Sequence, residues 1–330
     1  MFASSLLDIG SGGIVEAWDG DSRTGDYCLR IMGGENGVYG AIDLGSGVST
    51  LCVSLAIKFG SSAFDVTLSA VMEMFAEGSF FDVYFNGDTH TLDFYSGFED
   101  DVAGTVPLIA NVWNHVEILF DLTTDIYVGV KVNGTLAMDY TIELEEPMGV
   151  SVNRFYLLSY NTDTSTPTLS HVLIDDLVLG DSSDGEWLGD KRCYDIRPVG
   201  DSEKVGWLGS HTDISNSPPD SNNMHFDYVQ PNNPATYTPV MQTFNPGRHK
   251  ICAIVPWVRG SVDEVGYPSP DSQVTVILNE QAGENMSIPS DVAAEYEMFT
   301  AIADPDMLEN WTSGKLEDLQ IVVTSEFLEA

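Results

Sequence analysis

Residues 113–134 read WNHVEILFDLTTDIYVGVKVNG. Side chains alternate along an extended chain, so Trp113, His115, Glu117 and Leu119 share one face and Asn114, Val116, Ile118 and Phe120 the other. The second set is mainly apolar and is read as facing a core. Residues 121–125 turn the chain, and residues 126–132 form a strand that runs into Asn133-Gly134. That dipeptide tolerates left-handed backbone and marks a hairpin turn, with residues 135–143 as the returning strand.

Working outward, the same reading recurs. Residues 27–32 (YCLRIM) form a short strand stopped by Gly33-Gly34. Residues 50–58 (TLCVSLAIK) alternate imperfectly and fit a central strand. Residues 63–74 fit a strand or a short helix, with strand favoured by context. Residues 80–85 (FFDVYF) meet Asn86-Gly87, a second hairpin signal, and residues 89–95 return from it. Residues 154–160 (RFYLLSY) and 171–179 (HVLIDDLVL) complete the set. Helical periodicity is almost absent before residue 180. The expected fold is mainly β, an N-terminal two-sheet antiparallel jelly-roll sandwich.

Residues 180–185 (GDSSDG) are small and polar, a flexible seam. The domains are therefore expected at 1–184 and 185–330. In the second, residues 187–198 read as a strand leaving the linker. Residues 209–245 are loop-like, with stiff turns at 217–220 (SPPD) and 231–234 (PNNP). Residues 250–259, 271–280 and 316–327 read as strands. Residues 291–300 read as a short helix, although their spacing also permits a strand, and a helical turn is expected from Pro305. This half is smaller, mixed and β-dominated.

The 330 residues carry 51 acidic and 13 basic side chains, a formal net charge of -38. Residues 1–184 hold 28 acidic and 5 basic residues, and residues 185–330 hold 23 and 8, so no acidic tail accounts for the imbalance. Such a surface repels nucleic acids and anionic membranes and suits high salt, divalent cations or a basic partner. No apolar run reaches membrane-spanning length. Residues 1–13 lack the basic start and long apolar stretch of a signal peptide. Cys28, Cys52, Cys193 and Cys252 are too dispersed for a disulfide framework, though Cys28 and Cys52 could meet across neighbouring strands.

The chemical motifs are mostly negative. Glycoside hydrolysis needs two carboxylates at controlled separation on one face. Asp65, Glu73, Asp82 and Glu117 are scattered. Asp175 and Asp176 are adjacent and, in a regular strand, point to opposite faces, Asp175 ordering a turn and Asp176 facing solvent. Residues 19–26 (DGDSRTGD) have the oxygen-rich composition of an ion loop, so Asp19, Asp21 and Asp26 are the candidate ligands of a structural calcium; no other cofactor is expected. The histidines make no zinc spacing. Trp18, Tyr95, Tyr156 and Tyr160 are candidate sugar-stacking residues, set against core packing. Trp113, Asn133, Gly134, Asp175 and Trp187 are expected to be structural, with Trp113 packing against the neighbouring sheet and Trp187 pinning the linker.

Three segments, Trp113-Asn114-His115-Val116-Glu117, Val132-Asn133-Gly134 and Ile174-Asp175-Asp176-Leu177, resemble the concanavalin A-like lectin/glucanase jelly roll over residues 27–181. The family's compact E-x-D-x-x-E strand is missing. Gly185-Glu186-Trp187-Leu188-Gly189-Asp190, Tyr194-Asp195-Ile196-Arg197-Pro198 and Gly206-Trp207, with a looser match at 222–228 and Tyr237, resemble the segment that follows such a jelly roll in tailed-virus structural proteins. That resemblance implies a non-enzymatic virion protein assembled in the host cytoplasm, a capsid decoration or cementing subunit. Its partners would be other virion proteins and further copies of itself, as a trimer. The alternatives are a tail-tip protein touching a host glycan, and a carbohydrate-binding module or glucanase-like protein.

Overall fold

Residues 50–59 decide the architecture in the computed structural model, because this strand is buried on both faces. The structure describes residues 14–26, 28–32, 38–60, 68–76, 79–97, 101–144, 151–159, 171–180, 186–194, 197–213 and 235–242. It also describes the strands at 257–261, 273–278, 281–282, 286–287, 295–299 and 321–326. The Gly33-Gly34 stop, the 181–185 part of the seam, Tyr160, the segments 217–220, 222–228 and 231–234, Cys252 and the turn at Pro305 lie outside them.

The chain divides into two compact units, residues 2–194 and 195–330. Among its described residues the first holds twelve strands: β1 Ile14–Trp18, β2 Cys28–Met32, β3 Val38–Val48, β4 Thr50–Phe59, β5 Leu68–Ala76, β6 Ser79–Asn86, β7 Thr91–Tyr95, β8 Asn114–Asp121, β9 Ile126–Val132, β10 Thr135–Ile142, β11 Val152–Ser159 and β12 His171–Gly180. They form a seven-stranded sheet, β1-β2-β12-β4-β8-β9-β10, and a five-stranded sheet, β3-β11-β5-β6-β7, with antiparallel pairing throughout. This is the antiparallel β-sandwich expected from the alternation.

Period-2 patterning builds the core. Leu51, Val53, Leu55, Ile57 and Phe59 of β4, Val116, Ile118 and Phe120 of β8, and Val128, Val130 and Val132 of β9 point inward from the seven-stranded sheet. Phe81, Val83, Phe85, Leu92 and Phe94 answer from the other sheet. Phe59 and Phe85 stack at 4.5 Å, and Phe94 meets Phe120 at 6.5 Å, so aromatic contacts tie the two sheets together. Trp113 is half-buried, precedes β8 rather than opening it, and is not part of that core.

The VNG hairpin forms as read. Thr135 pairs with Val132, and Asn133 and Gly134 both take positive φ, 50° and 78°. The Asn133 side chain also accepts from the His115 amide at 2.9 Å and donates to Asn114 at 3.2 Å, fixing the turn to β8. Asn133→Ala loses both bonds and places a Cβ residue without local side-chain support in the left-handed region. It is expected to cost about 2 kcal/mol in denaturant unfolding. The Asn86-Gly87 hairpin differs in detail. Asn86 is the last strand residue, paired with Thr91, and a four-residue turn follows with His90 at φ 61°.

Other expectations are corrected. Cys28 and Cys52 are not on neighbouring strands, because β12 lies between β2 and β4, and both thiols are free. Residues 187–194 are not a strand, and the first strand of the second unit begins at Pro198. That unit has one sheet ordered β13 Pro198–Val205, β14 Ala235–Met241, β20 Ile321–Glu326, β16 Gln273–Leu278 and β17 Gln281–Ala282, with β18 Met286–Ser287 on β16. A further pair joins β15 Trp257–Ser261 to β19 Glu295–Phe299, so a strand stands where a helix was favoured. Pro239 lies beyond the residues at which β14 pairs with β20, so its missing N–H breaks no ladder bond on that side. Asp201 of β13 accepts from the His211 amide at 2.8 Å and the Tyr237 hydroxyl at 3.0 Å. Desolvation would raise its carboxyl, but the Tyr237 and His211 hydrogen bonds and nearby Lys204 outweigh it and hold it below the ordinary value.

Candidate functional site

Each sheet has one face turned away from the core. On the seven-stranded sheet that face carries Cys52, Ser54 and Ala56 of β4 with His115, Glu117 and Leu119 of β8, and all six are buried. What covers them is the chain itself. Residues 187–193 run across the strands: Trp187 lies over Gly129 with the Lys131 ammonium 4.0 Å from its ring centroid, and Leu188 packs on Gly180. The Gly189 amide donates to Glu117 at 2.5 Å, and its carbonyl accepts from the Ser54 hydroxyl at 3.0 Å. His115 Nε2 lies 3.0 Å from the same hydroxyl. Trp187 is thus held against β9 through Gly129 and Lys131.

The segment then meets the acidic pair of β12. A register shift falls between Asp175 and Val178, and Asp176 has φ 53°, a left-handed residue at a β-bulge. The bulge defeats strict alternation, and both carboxylates turn to one place. Asp175 Oδ2 accepts from the Arg23 and Thr24 amides at 2.7 and 3.0 Å. Asp176 is 3% exposed rather than solvent-facing, and accepts from Thr24 Oγ1 at 3.0 Å, Arg23 Nη1 at 3.3 Å and the Cys193 amide at 2.8 Å. Arg23 Nη2 reaches both carboxylate oxygens of Asp190 at 2.8 Å. These acids hold a loop and a covering segment; their lone pairs are filled by protein donors.

The residue 19–26 loop is organised by those contacts. Asp21 pairs with Lys58, and its carbonyl accepts from the Cys28 thiol at 3.2 Å. Burial, then Asp175 and Asp21, pushes that thiol up to about 11, so it is a poor nucleophile near neutrality. Asp19 and Asp26 lie on the exposed rim. Among the described residues no three metal-ligating side chains gather. Trp18 is taken up in packing: the Arg30 guanidinium lies 3.4 Å from its ring centroid and pairs with Glu16, and Gly20 fits against the indole.

The outer face of the five-stranded sheet is built differently. Register places Tyr156 of β11, Glu73 of β5, Asp82 of β6 and Tyr95 of β7 in one row across four strands. Three strand spacings make that row about 14 Å long. Arg154 is exposed beside it, its Nη1 3.4 Å from the Tyr156 hydroxyl. The β7 edge is walled by residues 101–108. Val102 and Phe94 exchange two backbone hydrogen bonds at 2.9 Å, and the Tyr84 hydroxyl donates to Asp101 at 2.8 Å. Burial and that carboxylate push the Tyr84 phenol upward, so it keeps its proton. Asp93, 2% exposed, accepts from Asn86, Thr91 and the Gly104 amide at 2.6–2.9 Å and is structural. The described polar side chains along this row include Arg154, Tyr156, Asp82 and Tyr95. Tyr95, Tyr156 and Asp82 were singled out individually from the sequence; Arg154 was missed, its signal being the i, i+2 spacing to Tyr156.

No protein-family model matches the sequence, and no curated protein matches it. Solved structures do. The endo-β-1,4-glucuronan lyase of Trichoderma reesei is 13% identical with a TM-score of 0.45, over 54% of this chain and 91% of that one. The cellulose-induced protein Cip1 is 13% identical with a TM-score of 0.42, over 54% and 90%. The alginate lyase Aly36B, in complex with alginate trisaccharide, is 17% identical with a TM-score of 0.36, over 55% and 99%. The reading as a capsid-decorating virion protein without enzymatic activity is corrected by these matches. Those named are two polysaccharide lyases and a cellulose-induced protein, not virion components.

Proposed function

We propose that the first unit binds a glycan on the outer face of its five-stranded sheet. The observation that carries this reading is the row Tyr156, Asp82 and Tyr95 with Arg154 beside it, on the sheet face that residues 187–193 do not cover. Tyrosines offer flat apolar faces with a polar tip, suited to a sugar ring and its hydroxyls. A carboxylate accepts hydrogen bonds from sugar hydroxyls, and a guanidinium donates to ring and hydroxyl oxygens. With a net charge of -38, the surface disfavours polyanions at low salt, so a neutral glycan is the preferred ligand.

A glycan array at moderate salt tests this. Binding to neutral oligosaccharides is expected, weakened about tenfold or more by Tyr156→Ala, equivalent to about 1.4 kcal/mol. An array without hits, or full binding by the variant, would exclude the face.

The Arg154–Tyr156 pair supports a second reading, β-elimination of a uronate polymer. The guanidinium would neutralise the sugar carboxylate; the Tyr156 oxygen would take the proton from the carbon bearing that carboxylate and pass it to the bridging oxygen on the neighbouring carbon as that C–O bond breaks, leaving a carbon–carbon double bond. This predicts ultraviolet-absorbing unsaturated ends from polyuronates, appearing faster as salt screens the acidic surface. Neutral-glycan binding without such product leaves the first reading alone.

A further inference from the structure

We propose that the row on the five-stranded sheet is closed at its Tyr95 end and takes the terminus of a sugar chain, not its interior; the proposal rests on the glycan reading of that face. Phe94 and Val102 pair antiparallel, so Asp101 falls beside Tyr95 and is the next residue of the row beyond β7. Tyr84 of β6 pairs with Asp93 of β7, one outward position along the strands from Asp82 and Tyr95. Its hydroxyl donates to Asp101 at 2.8 Å, so the side chain crosses the outer side of β7 to reach the segment beyond it. The Gly104 amide donates to Asp93 at 2.9 Å, which seats the same segment on that outer side. Tyr84 and Asp93 stand on the outer face yet are 7% and 2% exposed, so this corner of the face is filled. The Thr105 amide and hydroxyl both donate to the Ala137 carbonyl at 2.9 Å and tie the segment to β10 of the other sheet.

The opposite end differs. Arg154 is exposed beside Tyr156, and Tyr156 pairs on its far side with Ala41 of β3, so the row runs on past β11. The interior of a polymer must leave the row at both ends, whereas a chain terminus leaves at one. Three strand spacings between Tyr156 and Tyr95, about 14 Å, hold about three pyranose rings. The terminal ring abuts Tyr95, where the Asp82 and Asp101 carboxylates accept from its hydroxyls. Affinity therefore saturates at about three rings, and a polymer offers one site per chain end.

The test is titration calorimetry of the full chain with β-1,4-linked gluco-, xylo- and manno-oligosaccharides from di- to hexasaccharide. Soluble xylan and glucomannan, each as a short and a long fraction, are titrated alongside. In a series that binds, the disaccharide is expected to be about tenfold weaker than the trisaccharide, with no further gain up to the hexasaccharide. Protein bound per gram of polymer should fall as chain length rises, in proportion to the number of ends. Asp101→Ala, at an exposed position, opens the corner, and the long fraction should then bind as much protein per gram as the short one. Affinity that climbs steadily to the hexasaccharide, or a native capacity per gram independent of chain length, would overturn the closed end and leave the glycan face standing. End-counting unchanged in a folded Asp101→Ala chain would overturn the assignment of the stop to this corner. Binding to none of the probes would overturn both readings. Should Asp101→Ala fail to fold, the native chain on the two fractions decides alone.

Discussion

A chain stopped after Gly185 is expected to be less stable than one stopped after Tyr194 by about 3 kcal/mol, and to melt roughly 10 °C lower. The nine residues between contribute partial burial of Trp187 and Leu188, two hydrogen bonds at Gly189, one at Cys193 and the bidentate Arg23–Asp190 pair. Apolar burial of that size stabilises by about 2 kcal/mol per large side chain, and each hydrogen bond by about 1. Ordering the segment offsets part of this. Its removal also wets Cys52, Ser54 and Glu117, which are buried in the complete sandwich. Thermal melts of the two chains side by side, with binding of a hydrophobic dye, measure the difference. Coincident melts would show that residues 186–194 contribute nothing to the sandwich.

The same segment shows what the sequence made legible. The alternation in residues 113–134 identifies the core-facing side chains of β8, and Asn133-Gly134 identifies the turn, because both depend on residues close together in the chain. Residues 50–58 alternate imperfectly for a reason visible only in three dimensions. Cys52 and Ser54 are small where Leu188 and Gly189 lie over them. β3, with its glycines, carries little strand signal and is stabilised by its neighbour β11. The Asp175-Asp176 pair was misread because alternation holds only in a regular strand, and a left-handed residue at a bulge turns the second carboxylate toward the first. The face proposed for a glycan was half legible. Its residue types could be named singly, but the row from Tyr156 to Tyr95 exists only through the register of four strands, two of them more than fifty residues apart in the chain.

Arg23→Ala is expected to cost about 3 kcal/mol near neutral pH. The guanidinium has 12% of its side-chain surface exposed, and it touches the fully buried carboxylate of Asp176 and the half-exposed one of Asp190. Its loss leaves Asp176 with the Thr24 hydroxyl and the Cys193 amide as donors. Burial raises the Asp176 carboxyl above its ordinary value and Asp175 adds to the rise, while Cys193, Thr24 and Arg23 pull it back. A carboxyl raised on folding binds its proton more readily in the folded chain, so its contribution is most favourable at low pH and is lost as pH rises through the folded value. Removing Arg23 raises that value further. The stability gap between native chain and variant should therefore narrow as pH falls from about 7 to about 4, as Asp176 neutralises itself. Arg23→Lys should recover part of the loss at neutral pH, since an ammonium keeps the charge but has one nitrogen where the guanidinium uses Nη1 for Asp176 and Nη2 for Asp190. Denaturant unfolding across that range measures the gap. A gap that stays constant with pH would show that the cost lies in packing of the residue 19–26 loop and not in the buried charge of Asp176.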